Sequence, residues 1–190
     1  MRQRKRNQQI IMVFSAVLAI SFWLAPAVAT QENKQVVEVE SVLAKDAVRP
    51  GETFKAAVIL KVQAGYHIND NAPLDEFMFP TSVSIEDGPD FEVVEISYPA
   101  GRRARYSYSE TELVVYDGEA VLGVLLKAKD TLAPGARTVK ASLSYQACDN
   151  TSCLPPKELA FEIAVPVAKT GGADIHPEIF GKLRFKSLQK

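Results

Sequence analysis

Along most of the chain apolar and polar side chains alternate. Phe54, Ala56, Val58, Leu60 and Val62 share one parity while Lys55 and Lys61 take the other, the pattern of a strand buried on one face. The alternation returns in segments 37–42, 81–85, 91–98, 113–116, 120–128, 139–147 and 159–165. Turn signals separate them: Pro50-Gly51, Asp87-Gly88-Pro89, Pro99-Ala100-Gly101, Asp117-Gly118 and Pro134-Gly135. About eight short strands at this spacing, with no helical period between them, predict an all-β, immunoglobulin-like β-sandwich.

Two stretches break the rhythm and are expected as exposed loops. Residues 64–80 read AGYHINDNAPLDEFMFP and residues 101–110 read GRRARYSYSE. Loops on a rigid sandwich are common sites of recognition, although ordinary surface connection is the competing reading for any one of their residues. Beyond Pro166 the Gly171-Gly172 pair opens a tail, residues 169–190. There Ile179, Phe180 and Leu183 line one face of a short predicted helix after Pro177, with Lys182, Arg184, Lys186 and Lys190 solvating it.

The amino terminus has a different pattern, and it sets the compartment. Arg2, Arg4, Lys5 and Arg6 precede an apolar run from Ile10 to Leu24, and Ala27-Val28-Ala29 supplies a small-residue exit. This is the layout of a secretory signal peptide over residues 1–29, with the mature chain starting at Thr30. An uncleaved anchor is the alternative, since about 20 apolar residues span a bilayer; Pro26 and the small-residue exit favour cleavage. Residues 30–168 are then the sandwich domain. Cleavage removes four of the 22 basic residues and none of the 23 acidic ones, which leaves a net charge of −5. Nucleic-acid binding is disfavoured, because no basic field remains to release counterions. No later apolar run reaches spanning length, so the mature chain is expected in the periplasm without membrane insertion.

In an oxidising compartment a cysteine pair is read first as a disulfide. The chain has two cysteines, Cys148 and Cys153, in SYQACDNTSCLPPKE. Three readings compete. A structural staple is poorly placed: a bridge over so short a loop restrains the unfolded chain by about 2 kcal/mol, against about 4 for one closing some sixty residues. The tryptophan that packs on the inter-sheet disulfide of antibody domains is also missing, since Trp23 lies in the leader. A metal site wants four ligands, and only His67 and His176 could add to the pair as histidines; no metal or other cofactor is expected. A redox couple needs an attacking and a resolving thiol, which two neighbouring cysteines supply. Strand parity puts Cys148 with Lys140, Ser142, Ser144 and Gln146 on the polar face, and Pro155-Pro156 withholds two backbone donors after Cys153. Both sulfurs are therefore expected to be reachable by a partner. No lysine, arginine or histidine within the hairpin lowers a thiol pKa, so a partner thiolate is expected to open the exchange.

The stretch YQACDNTSCLPP resembles the cysteine hairpin of the periplasmic amino-terminal domain of DsbD, the bacterial thiol:disulfide interchange protein. GYHIND, YPAG and LVVYDG are similar to that domain as well. The resemblance implies an immunoglobulin-like fold with a redox-active Cys148–Cys153 disulfide, Cys153 attacking and Cys148 resolving. It implies thioredoxin-fold partners: an electron donor, and oxidised periplasmic acceptors such as a disulfide isomerase or a thioredoxin of cytochrome c maturation. DsbD continues into a membrane domain and a thioredoxin-like domain, whereas this chain stops at Lys190, so the donor is expected on a separate chain. The family's cap loop over the disulfide has its candidate in RYSYSE, with Tyr106 and Tyr108 as shields; Asp75, Glu76 and Phe77, together with His67, are weaker loop candidates. The rival function is a redox-inert, immunoglobulin-like protein-binding module with a structural hairpin disulfide, using the 64–80 loop.

Overall fold

The alternating segments become strands. The computed structural model describes residues 34–86 and 88–189, so the leader and its cleavage site lie outside the described residues. The strands are β1 (Val37–Leu43), β2 (Thr53–Val62), β3 (His67–Asn69), β4 (Ser82–Ile85), β5 (Phe91–Ser97) and β6 (Arg102–Ala104). They continue with β7 (Leu113–Tyr116), β8 (Glu119–Ala128), β9 (Gly135–Tyr145), β10 (Ala147–Cys148) and β11 (Lys157–Val167). An α-helical turn, α1 (Pro177–Phe180), and a 3-10 turn at Lys186–Leu188 follow in the tail.

Every strand pair is antiparallel, in three sheets ordered β1-β2-β8-β5, β11-β9-β4 and β10-β3-β7-β6. The inward side chains of β2 and β8, among them Val58, Leu60, Leu122 and Val124, pack in one core with Val139, Leu143, Ile163 and Val165 of the second sheet and Ile68 and Tyr116 of the third. The result is an all-β, immunoglobulin-like sandwich. Gly118, at φ 62°, makes the turn between β7 and β8, where a side chain would be strained.

The outer face of the first sheet is covered too. Ala57 and Leu125 carry the solvent-side parity of their strands, yet both are buried. Residues 170–189 run across this side. Phe185 is buried, and a Cβ placed on Gly123 would come within 2.6 Å of its ring. The Glu95 carboxylate accepts the Lys186 and Ser187 amides at 2.8 Å each, and the Ser97 hydroxyl donates to the Arg184 carbonyl at 2.5 Å. Of the apolar tail residues expected on one helix face, Phe180 is buried in α1, while Leu183 lies beyond its end and packs near Gly123.

Two sequence expectations change at the short strands. The 64–80 stretch holds β3, and the 101–110 stretch holds β6, so neither is loop throughout. The predicted 139–147 strand is also two pieces, because the chain leaves its β11 pairing at Tyr145 and pairs instead with β3 at Ala147.

Candidate functional site

The third sheet carries the cysteine hairpin at its edge. Cys148 ends β10 and pairs in register with His67 of β3; Ala147 pairs with Ile68. The chain then turns through Asp149–Ser152 and returns at Cys153, which bridges back to Cys148. The two sulfurs are joined in a disulfide. Asp149 builds the turn: its Oδ1 accepts the Thr151 amide at 2.7 Å, the Thr151 hydroxyl at 2.8 Å and the Ser152 amide at 2.8 Å. These donors hold its carboxyl below the usual range. The Leu154 amide bonds the Ala147 carbonyl, and the Gln146 side chain donates to the Leu154 carbonyl at 3.1 Å, closing the hairpin base. Pro155 and Pro156 keep β11 from starting before Lys157, as their missing donors require.

The expectation that both sulfur-bearing residues are open to a partner is corrected here. Cys148 is fully buried and Cys153 is exposed. Parity counted from Val139 fails at Gln146, where the chain changes sheets; Ala147 and Cys148 are consecutive and both buried. Period-two counting holds only while one strand keeps one partner.

A second segment lies against the hairpin. The Ser107 hydroxyl donates to the Asn150 carbonyl at 2.7 Å, tying the loop after β6 to the cysteine turn. On either side of Ser107, Tyr106 and Tyr108 meet His67. The Tyr106 ring stacks on the imidazole with centroids 3.8 Å apart and planes 11° off parallel, and the Tyr108 hydroxyl lies 2.7 Å from Nε2. Tyr106 thus lies on the face of His67 and Tyr108 at its edge, and both meet the residue of β3 that pairs with Cys148. Arg102 reaches the Tyr106 hydroxyl at 3.4 Å and is anchored by Asp117, which accepts from its Nε at 3.0 Å and from Nη2.

Electrostatics follow from this enclosure. Burial pushes the His67 imidazole below its ordinary value; Asp117 and Asp149 oppose that shift and Arg102 reinforces it. The Tyr108 hydroxyl is pushed up to about 12, first by burial and then by Tyr106 and Asp149, so it keeps its proton across the physiological range.

The weaker candidates separate. His67 joins the site. Asp75, Glu76 and Phe77 form a turn of their own, in which the Asp75 carboxylate accepts the Phe77 amide at 2.9 Å and the Phe77 ring is 87% exposed. That loop hangs from β3 through buried polar residues: Asn69 donates to the Phe79 carbonyl and Thr81 to the Asn69 carbonyl. Sequence reasoning missed Arg102, Ser107, Asp117 and Asn150 as parts of the site. Arg102 and Ser107 had only their position in a stretch that broke the alternation, Asp117 its place in a turn signal, and Asn150 its place inside the cysteine motif. Among the described residues no cluster of three or more His, Cys, Asp or Glu is placed to hold a metal ion, and no helix is long and apolar enough to cross a membrane.

Residues 33–164 match the family described as "Thiol:disulfide interchange protein DsbD, N-terminal". The chain belongs to this family. No curated protein sequence matches it significantly. Among solved structures it is similar to the DsbD N-terminal domain of Neisseria meningitidis in the reduced form, at 19% identity and a TM-score of 0.41, covering 67% of this chain and 85% of that one. It is also similar to the N-terminal periplasmic domain of ScsB from Proteus mirabilis, at 12% identity and a TM-score of 0.47, covering 75% of this chain and half of that one. Membership of the DsbD N-terminal family and the bonded cysteine pair make the domain a thiol:disulfide interchange module.

Proposed function

We propose that this domain relays electrons in the periplasm through Cys148 and Cys153, from a thioredoxin-fold donor to oxidised thioredoxin-fold acceptors. The observation that carries the reading is the asymmetry of the pair: Cys153 is exposed and Cys148 is fully buried. A donor thiolate attacks the sulfur it can reach, Cys153, and the electron pair of the broken disulfide leaves on Cys148. A donor thiol then resolves the mixed disulfide, so the domain holds two thiols and the donor a disulfide. In the forward step the Cys153 thiolate attacks an acceptor disulfide, and Cys148 resolves. Two electrons and two protons pass at each stage. Tyr106 and Tyr108 act as the cap, limiting approach to the disulfide until a partner displaces the loop. The domain thus supplies an unactivated, shielded couple, and the partner's low-pKa thiol starts the reaction.

Trapping tests this reading. With Cys148→Ala the mixed disulfide on Cys153 cannot be resolved from within the domain, and disulfide-linked, higher-mass species containing a thioredoxin-fold protein are expected after acid quench in the periplasm. Cys153→Ala is expected to trap far less. The couple's reduction potential is expected distinctly above about −300 mV, the level below which structural disulfides lie. A domain that traps no partner and stays oxidised beside a thioredoxin-like reductant would instead be the redox-inert binding module.

A further inference from the structure

We propose that His67 is the base that takes the proton of the buried Cys148 thiol when Cys148 resolves the mixed disulfide on Cys153. The inference deepens the exchange reading above and depends on it. Its ground is placement. His67 and Cys148 are paired directly across the β3–β10 ladder, so their side chains leave the same face, with Cβ atoms about 4.5–5.5 Å apart in such pairs. Both residues are buried.

A buried thiol is a poor nucleophile, because ionising it in a water-poor site leaves an unpaired charge. Water cannot easily remove the proton from a residue with no exposed surface. The titratable and charged groups around His67 are Cys148 on β10, Asp149 in the hairpin, Tyr106 and Tyr108 in the cap, Arg102 on β6 and Asp117 after β7. Asp117 is held by Arg102, and Asp149 is occupied by its own turn. The Tyr108 hydroxyl holds its proton too firmly to be a base near neutral pH. His67 is left, and burial favours its neutral, proton-accepting form. In the tautomer the role needs, Nε2–H donates to the Tyr108 oxygen, leaving Nδ1 as the basic nitrogen. Tyr108 thereby acts as a positioning residue that selects the tautomer.

The step balances. The Cys148 proton moves to the imidazole, the thiolate attacks Cys153 Sγ, the Cys148–Cys153 bond forms and the Cys153–partner bond breaks. The electron pair leaves on the partner sulfur, which collects a proton from the imidazolium or from water. Run backwards, the imidazolium returns the proton to Cys148 as the disulfide opens.

The test uses the reduced domain and glutathione disulfide as the probe, followed by acid quench and intact mass. Attack by Cys153 forms a glutathionylated domain, and resolution by Cys148 removes the glutathione. His67→Phe keeps an aromatic ring on Tyr106 and removes the base. The expected result at pH 7 is an unchanged rate of glutathionylation and a resolving rate lower by on the order of 100-fold. That deficit should shrink at alkaline pH, above the free-thiol value of about 8.5, where hydroxide replaces the imidazole as the base. Tyr108→Phe should show a smaller deficit of the same pH dependence. Equal resolving rates and pH profiles in His67→Phe and the parent would overturn the role of His67 while leaving exchange intact. A parent domain that never glutathionylates and resolves would overturn the exchange reading itself, and this inference with it. If His67→Phe does not fold, proton titration of the parent by NMR decides. The chain has two histidines, so His176→Gln assigns the His67 signal. A His67 midpoint that moves between the disulfide and dithiol states supports the coupling, and one that stays put overturns it.

Discussion

At the scale of the residue, His67 has the most consequences. In sequence it was one polar residue between Tyr66 and Ile68; in the fold it is buried, stacked and hydrogen bonded. Its lowered pKa predicts a pH dependence of stability whose sign can be worked out. Below about pH 6.5 the unfolded chain binds a proton that the buried imidazole resists, so unfolding takes up protons. The contribution is present above that pH and is lost as the pH falls. The urea midpoint of the parent is therefore expected to drop between pH 7 and pH 5 more steeply than that of His67→Phe; parallel slopes would reject it. Tyr106 gives a second prediction at this scale. Tyr106→Ala removes the ring stacked on His67, and the disulfide should then be reduced several-fold faster by dithiothreitol, read by alkylation and mass.

At the scale of the element, the cysteine hairpin is a turn set by one side chain. Asp149 gathers the Thr151 and Ser152 amides and the Thr151 hydroxyl, which fixes the return of the chain to Cys153. Asp149→Ala leaves those donors to water, and faster hydrogen exchange at the Thr151 and Ser152 amides is expected, with protection in β9 unchanged. Exchange rates equal to the parent's would show that the disulfide alone holds the turn. The long strands were legible because ten- and eleven-residue runs such as β2 and β9 carry several repeats of the period. The strands that build the site, β3, β6 and β10, have three, three and two residues, too few to show a period at all. That is why the placement of Cys148 could not be counted from β9.

At the scale of the molecule, the tail completes the first sheet. By its sequence pattern 169–190 is a tail apart from the sandwich, yet Phe180 and Phe185 are buried and Glu95 and Ser97 hold the tail's backbone. Phe185→Ala is predicted to cost about 3 kcal/mol in urea unfolding, the low end for a buried phenylalanine, because its pocket lies at the surface of the sheet and can partly close. Ending the chain at residue 168 should expose the Ala57 and Leu125 side of the sheet, seen as dye binding and a lower melting temperature. An unaltered melting temperature would mean that the tail is only laid on the domain. Phe185→Ala should not alter trapping by Cys148→Ala, since Phe185 packs on Gly123 of the first sheet while the hairpin is carried by the third.

The sequence by itself determined the layers and the chemistry available to them. Period-two alternation requires half-buried strands, turn residues separate them, and the cysteine motif with its two prolines placed a disulfide hairpin at a strand end. Which residues surround that disulfide was decided only by tertiary structure. Cys148 and Asn150 of the hairpin, His67 of β3 and Tyr106 of the loop after β6 come from three separate stretches of chain, and no local periodicity relates them. They meet because a change of sheet at Gln146 turns Cys148 inward against β3, and because one hydroxyl, that of Ser107, fastens the aromatic loop to the hairpin. Both are long-range pairings, whose free energy depends on contacts that alternation does not encode.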